Sequence, residues 1–428
     1  MINKIKKTKR VKNNKYNSKK YKNYKKTKKA QFGGLKLGEG GFGCVIGPYI
    51  MCNNKKSSNK HYKVSKIIQS ETEDYKEEYM LYRKIKNIDP KQKYLLSFVD
   101  SCILKENNIN NREDVIIVNY KDKKKTSSSN DFNIIDSDKN IKDDELDNYC
   151  KFDPRLKYFN QIQIYGGKEL STYFKISETD TRYKTIKSNF RFIFKHLLEG
   201  LKLLHKNKVV HRDIKPQNIL LDLSSIKLHI LPPRYIDFGL STDMNLTYTI
   251  EDIGHRQGTA KYIPIDIYIA YKIVKLLYKN IDVFSKYGKN ILLTDVITMY
   301  NTKYKQEYKK DKLDKSFLKF KSNTGDLVDS TKYLNNNDII LLVNKLLKQY
   351  SKDTLLSNNS KIYDGYLYKA DVFALGLTMR KMYNAFQINN NKFENLLKYM
   401  LHPNPDKRYN VNQCLKHIAL KKKVKTKT

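Results

Sequence analysis

Residues 211–218 read "HRDIKPQN", and the interpretation of the whole chain turns on them. An apolar pair, Val209 and Val210, leads into a stretch that sets the carboxylate of Asp213 five residues ahead of the carboxamide of Asn218. Nineteen residues beyond Asn218 comes "IDFG", with a second carboxylate at Asp237. Phosphoryl transfer needs three such groups. One carboxylate orients a hydroxyl and takes its proton, while an amide and a second carboxylate hold Mg2+ on a triphosphate. Lys215, two residues past Asp213, can reach the phosphoryl group being transferred.

Working upstream, "GEGGFGCV" (38–45) fits G-x-G-x-x-G-x-V through Gly38, Gly40, Gly43 and Val45. A dinucleotide-binding turn would continue into a helix. Here Val45 and Ile46 extend a strand, so the spacing predicts a β-hairpin whose backbone amides cover triphosphate oxygens. That reading calls for a lysine on the next strand. Lys66 in "KVSKI" stands there, with Lys63 as its competitor. On the helix predicted to follow, Glu78 shares a face with Leu81, Tyr82 and Ile85 and could pair with the lysine, whereas Glu77 is rotated about 100° away.

The organisation around these motifs is two-lobed α+β. Strand-like stretches ("FGGLKLGEG", "GCVIGPYIMC", "HYKVSKII") and one helix ending near Pro90 come first, then the strand-like "KYLLSFVDSCIL" and "YFNQIQIYGG". Helices follow, the clearest from about residue 188 to 207, where Ile193, Leu197, Leu201 and Leu204 recur at helical spacing. The polar segment 105–157, with "KKKTSSSND" at its centre, reads as a mostly mobile insertion. A second insertion, 267–365, contains helix-like stretches and is expected to fold in part against the second lobe.

The chain has 428 residues and a formal net charge of +40. Residues 1–30 hold thirteen lysines and Arg10 with no acid, and the tail 421–428 holds five lysines. Such arms suit nucleic acid or another anionic surface. An A/T-rich genome, which also fits the abundant Asn, Ile and Tyr and the absence of Trp, accounts for the lysines equally well. Cysteines 44, 52, 102, 150 and 414 form no CxxC and no Cys/His cluster, so scattered free thiols in a reducing, intracellular compartment are expected. No apolar run approaches a membrane span, and no apolar segment follows the basic N-terminus as in a secretory signal.

Together these motifs resemble those of eukaryotic-type protein kinases, over about residues 32–100, 158–266 and 366–420. The resemblance implies a small β-rich lobe, 31–165, and a larger helical lobe, 166–420, flanked by the basic arm and tail. It implies Asp213 as catalytic base, Lys215, Lys66 and Glu78 as catalytic partners, and Asn218 and Asp237 as Mg2+ ligands. ATP contacts would come from Leu37, Gly38, Glu39, Gly40, Gly41, Phe42, Gly43, Val45, Lys66 and Glu169. Lys215 in "DIKPQN" and Thr259 in "QGTAKY" resemble the Ser/Thr-specific form, with protein hydroxyls as acceptors. "DVFALG" (371–376) resembles a helix start whose aspartate ties down the catalytic loop, and "HPNPDKRY" resembles the late segment that supplies a buried arginine, here Arg408.

Some features depart from the pattern. Where the family has Ala-Pro-Glu, this chain has "PID" (264–266), so Asp266 must reach Arg408 with a side chain one methylene shorter, and a looser or realigned anchor is expected. Arg212 resembles the arginine that pairs with a phosphorylated activation segment, for which Ser241, Thr242, Thr247, Tyr248 and Thr249 are candidates. The composition and the long loop after the glycine motif are similar to kinases of large nucleocytoplasmic DNA viruses, which would place the protein in the host cytoplasm or the virion. A kinase-like scaffold that binds ATP without catalysis is the alternative to an active enzyme.

Overall fold

The alternating apolar stretches of the first half resolve into an antiparallel sheet, and the periodic ones of the second half into helices. The computed structural model of the chain describes residues 35–40, 43–47, 49–52, 63–69, 73–104, 115–120, 132–134, 150–152, 156–223, 232–245, 258–259, 262–304, 336–349 and 361–420. The basic arm and the tail lie outside these residues.

Strands β1 (Leu35–Gly40) and β2 (Gly43–Gly47) form the glycine hairpin, and β3 (Lys63–Gln69) pairs with β2. Helix α1 (Glu73–Ile88) follows, then β4 (Phe98–Ile103). Three further strands, β5 (Val115–Tyr120), β6 (Phe132–Ile134) and β7 (Cys150–Phe152), fall inside the segment expected to be mostly mobile. They make a small sheet of their own, in the order β6-β5-β7. The apolar run "VIIV" (115–118) is the signal for it that the polar surroundings masked. Strand β8 (Tyr158–Ile164) then returns to the first sheet, whose order is β1-β2-β3-β8-β4. Tyr82 and Ile85 of α1 are buried, and Tyr79 stacks on Phe98 at 5.5 Å, so one face of the helix closes over the sheet.

The second lobe opens with β9 (Lys168–Glu169), α2 (Thr181–Ser188) and α3 (Phe190–Lys206). Ile193, Leu197, Leu201 and Leu204 of α3 are buried, as their spacing predicts. Short strands β10 (Val209–Val210), β11 (Ile219–Leu221), β12 (Arg234–Tyr235) and β13 (Thr242–Asp243) carry the motif loops. Helices α4 (Ile265–Tyr278), α5 (Lys286–Met299), α6 (Asn336–Gln349), α7 (Lys361–Ala385), α8 (Asn391–Met400) and α9 (Val411–Lys416) complete it. The main core runs from α1 through α3 to α7 and α8. A second core gathers α4, α5, α6 and Leu367 of α7. Among the described residues of the second insertion, α4, α5 and α6 thus pack into this second core. No helix among the described residues is long and apolar enough to cross a membrane.

The expectation of free thiols is corrected. Cys44 is bonded to Cys150 and Cys52 to Cys102, and only Cys414 is free, in a buried position. The partners are 106 and 50 residues apart, and only the pairing of strands brings them together. Cys44 and Cys150 join Ile46, Ile50, Ile67 and Leu104 in an apolar cluster, so one staple fastens β7 to β2, the second strand of the glycine hairpin. Closing loops of this length is worth about 2–4 kcal/mol each. Alkylation of the denatured, unreduced chain is expected to add one label, and five after reduction. Reductant should also lower the melting temperature. Five labels without reduction would disprove the pairing.

Candidate active site

The catalytic-loop geometry starts from Asp371, a carboxylate that is 1% exposed. It accepts the backbone N–H of His211 at 2.8 Å and of Arg212 at 2.8 Å, and Nε2 of His205 donates to it at 3.1 Å. Each N–H bond to a buried charge offsets part of its desolvation. Arg212 sits at φ +68°, a left-handed conformation that costs a residue with a Cβ about 1–3 kcal/mol. The two backbone bonds to Asp371 hold it there. "DVFALG" does lie where an aspartate ties down this loop, but within α7, which begins ten residues before it, and not at a helix start.

Asp213, next along, is buried and supplied at both oxygens. Lys215 Nζ donates to Oδ2 at 2.7 Å and Asn218 Nδ2 at 2.9 Å, while the Thr259 backbone N–H and hydroxyl both donate to Oδ1 at 2.9 Å. Lys215 also reaches Thr259 Oγ1 at 3.0 Å. Thr259 comes this close because Gly258 precedes it: a Cβ there would lie 2.2 Å from the carbonyl oxygen of Arg212. Asn218 spends its amide N–H groups on Asp213, the second going to its backbone carbonyl at 2.8 Å, which leaves the amide oxygen to accept.

Asp237 adopts φ +63°. Burial alone would raise its carboxyl, but Lys66, His211 and Lys215 more than offset that and hold it below the usual carboxylate range. An ionised carboxylate and an amide oxygen are hard donors of the kind Mg2+ takes, so the residues present fit the metal that the resemblance implies. Phe238, wholly buried, packs edge-on against Tyr82 of α1 at 5.6 Å and lies tilted against His211 at 5.0 Å.

In the sheet, the choice between Lys66 and Lys63 falls to geometry. Lys66 Nζ donates to Glu78 at 2.8 Å and lies 3.4 Å from Asp237. Lys63 Nζ instead sits over the Tyr49 ring at 5.4 Å. Burial works against the Lys66 charge, yet Tyr82, Glu78 and Asp237 together raise its pKa well above the ordinary lysine range. It is therefore an ammonium at any physiological pH. Glu78 is 5% exposed, facing inward as the helical phase predicts.

The glycine hairpin pairs Glu39 with Cys44 and Gly40 with Gly43. Gly41 and Phe42 lie outside the described residues. Gly43 needs to be glycine: φ is +140°, and a Cβ would stand 2.2 Å from the Ile67 carbonyl oxygen. Val45 is paired with Lys66 across β2 and β3, and Leu37 is exposed. Glu169 accepts from the Ser171 hydroxyl at 2.8 Å, at the start of the second lobe.

The expected weakness at "PID" does not occur. Arg408 Nη2 donates to Asp266 at 2.6 Å, with both side chains fully enclosed. The guanidinium also donates to the carbonyls of His402 at 2.9 Å and Pro403 at 3.2 Å and lies over Phe373. Asp266 belongs to the first turn of α4 and from there accepts from Nη2 of Arg408 despite its shorter side chain. Of the activation-segment hydroxyls, Ser241 and Thr242 are buried and engaged, with Ser241 donating to the His211 carbonyl and Thr242 accepting from Arg212. Thr247, Tyr248 and Thr249 lie outside the described residues. Sequence reasoning missed His205, in the last turn of α3, and the Tyr82–Phe238 contact. Each is a tertiary pairing across more than 150 residues that no local signal marks.

Comparison with known proteins agrees with this geometry. The protein kinase domain profile matches residues 162–419, more than half of the chain. The chain belongs to the protein kinase family. It is 35% identical over 119 residues to calcium-dependent protein kinase 4 of Plasmodium berghei, covering 28% of this chain and 21% of that one. It is 50% identical over 52 residues to the serine/threonine-protein kinase CAK1 of Saccharomyces cerevisiae, 12% and 14% of the two chains. With mitogen-activated protein kinase 15 of Xenopus laevis it shares 32% over 126 residues, 28% and 20%. The aligned segments span about a fifth or less of these relatives. The profile match begins within β8, so the glycine hairpin and the Lys66–Glu78 pair rest on the geometry above.

Two outcomes follow for the anchor. Asp266→Ala leaves Arg408 buried without its counter-charge and should destabilise the chain by about 3–5 kcal/mol in denaturant unfolding. His402, whose Nδ1 accepts the Asn404 N–H at 3.0 Å, is pushed down to about 4 by burial and by the charges of Lys407 and Arg408. The unfolded chain takes up that proton from about pH 6.5 downward and the folded chain only near 4, so stability should fall with pH across this window. His402→Asn, which keeps an acceptor and does not titrate, should flatten the fall in melting temperature.

Proposed function

We propose that the chain is a Ser/Thr protein kinase that transfers the γ-phosphate of Mg·ATP to hydroxyls of protein substrates. The observation that carries this reading is the double support of Asp213 by Lys215 and Thr259. A carboxylate held at both oxygens, beside an ammonium, can accept a hydroxyl proton at one point and face a phosphoryl group at the next. Some of the similar kinases, CAK1 of Saccharomyces cerevisiae among them, are serine/threonine-protein kinases by name, which supports the choice of acceptor.

In this reading Asp213 orients the substrate hydroxyl and takes its proton as the oxygen attacks the γ-phosphorus. Lys215 neutralises charge on the transferring group, which leaves ADP. Lys66, positioned by Glu78, binds the α- and β-phosphates, and the amides of the β1–β2 hairpin cover them. Leu37 and Val45 border the base, and Glu169 lies near the ribose. Asn218 and Asp237 hold Mg2+, which when bound spreads the negative charge of the triphosphate. The bulk of the rate comes from positioning and fixed charge rather than from covalent chemistry.

Transfer of label from γ-labelled Mg·ATP to generic acidic and basic proteins tests this. Wild type should label Ser and Thr, and Asp213→Ala and Asp237→Ala should each lose about a thousandfold in kcat. Asp213→Ala should still be stabilised thermally by Mg·ATP. A wild type that binds nucleotide and transfers nothing would instead make the protein a scaffold.

A further inference from the structure

Helix α1 carries Glu78, so whatever fixes α1 fixes Lys66. Within its own lobe the helix is held by packing on the sheet and by the Ser97 hydroxyl, which donates to the Tyr82 carbonyl at 2.9 Å. Across to the other lobe, two contacts stand out among the described residues. One is apolar, Tyr82 on Phe238. The other is ionic: Lys84 Nζ lies 2.5 Å from Asp243 Oδ1, with the two side chains 24% and 17% exposed.

The location of Asp243 gives this pair its reach. It is the second residue of β13, which pairs with β10 so that Val209 faces Asp243 and Val210 faces Thr242. Strand β10 runs directly into His211, Arg212 and Asp213. Arg212 Nη1 donates to Thr242 Oγ1 at 3.2 Å, Ser241 donates to the His211 carbonyl at 3.0 Å, and Met244 N–H bonds to the Lys208 carbonyl at 2.7 Å. Asp243 is thereby fixed to the strand that presents Asp213. Lys84 lies six residues beyond Glu78, about 9 Å further along the helix. The ion pair thus joins one rigid unit, carrying Lys66 and Glu78, to another, carrying Asp213. Unlike the aromatic contact, it has a direction and a reach of a few ångströms, so it sets where along the lobe boundary α1 stops.

We infer that Lys84 and Asp243 are positioning residues: their ion pair clamps α1 against the β10–β13 strands and keeps the Lys66–Glu78 pair in register with Asp213. Neither residue touches the reacting atoms, and the inference rests on the kinase reading above. A pair this sheltered is screened less than a surface one, and because it spans two rigid units its loss is felt at the site rather than locally.

Lys84→Glu and Asp243→Lys, made separately and together in the full chain, test the clamp. Each single reversal should lower kcat/KM for ATP about tenfold, with a melting temperature close to wild type, and the double reversal should recover most of the loss. Lys84→Met, which keeps the length of the side chain, should match the single reversal in direction. Amide hydrogen exchange in α1 provides a readout independent of turnover. Protection of residues 79–88 should fall about tenfold in Lys84→Met and Asp243→Asn and return in the double reversal. If wild type proves inactive, the kinase reading fails while the exchange data still decide the clamp. Unchanged exchange in both neutral variants, or a double reversal no better than the single ones, would overturn it.

Discussion

A single buried carboxylate, Asp371, organises the second lobe. An ion enclosed by protein must find donors or lose its charge, and this one finds three, two of them backbone N–H groups of the loop it restrains. Because those groups belong to His211 and Arg212, satisfying Asp371 also determines the path of the chain into Asp213. The left-handed turn at Arg212 is tolerable only under that restraint. Remove the carboxylate and the loop has no reason to keep Asp213, Lys215 and Thr259 within bonding distance of one another.

The same economy appears on the opposite side of the helix. Lys369, Asp371 and Phe373 of α7 alternate between the Pro405 carbonyl, the catalytic loop and the Arg408 guanidinium. One helix therefore couples the catalytic loop to the Asp266 anchor. The inserted helices join this arrangement without disturbing it. Lys345 of α6 bonds to Asn404 and Asp406, and Tyr366 to Asp406 as well, so the long excursion between α4 and α7 closes onto the anchor segment. Its described helices bury their apolar faces against one another.

Much of this was legible from local sequence, for physical reasons. The catalytic loop and "IDFG" could be read because their chemistry depends on residue type and short spacing. The long helix 190–206 could be read because burial on one face enforces a 3.6-residue period. Glu78 could be chosen over Glu77 from helical phase, whereas Lys66 against Lys63 needed the partner in space. Within the polar segment 105–157, the short strands β5, β6 and β7 were hidden because composition outweighed a four-residue apolar run. The disulfides and the His205 bond were not legible at all, and of the Asp266–Arg408 anchor the pairing was legible but not its closeness. Each depends on where strands and helices pack, which spacing along the chain does not encode.

The staple between Cys44 and Cys150 changes what counts as the minimal folding unit. By sequence alone, the region between β4 and β8 looks expendable, a decoration that a trimmed version of the chain could lack. Yet one of its strands is bonded to the residue immediately after Gly43, within the glycine hairpin itself. Excising it would strand a thiol in an apolar pocket beside that hairpin and remove part of the cluster that backs β2. The natural boundary of the smaller lobe therefore encloses the insertion.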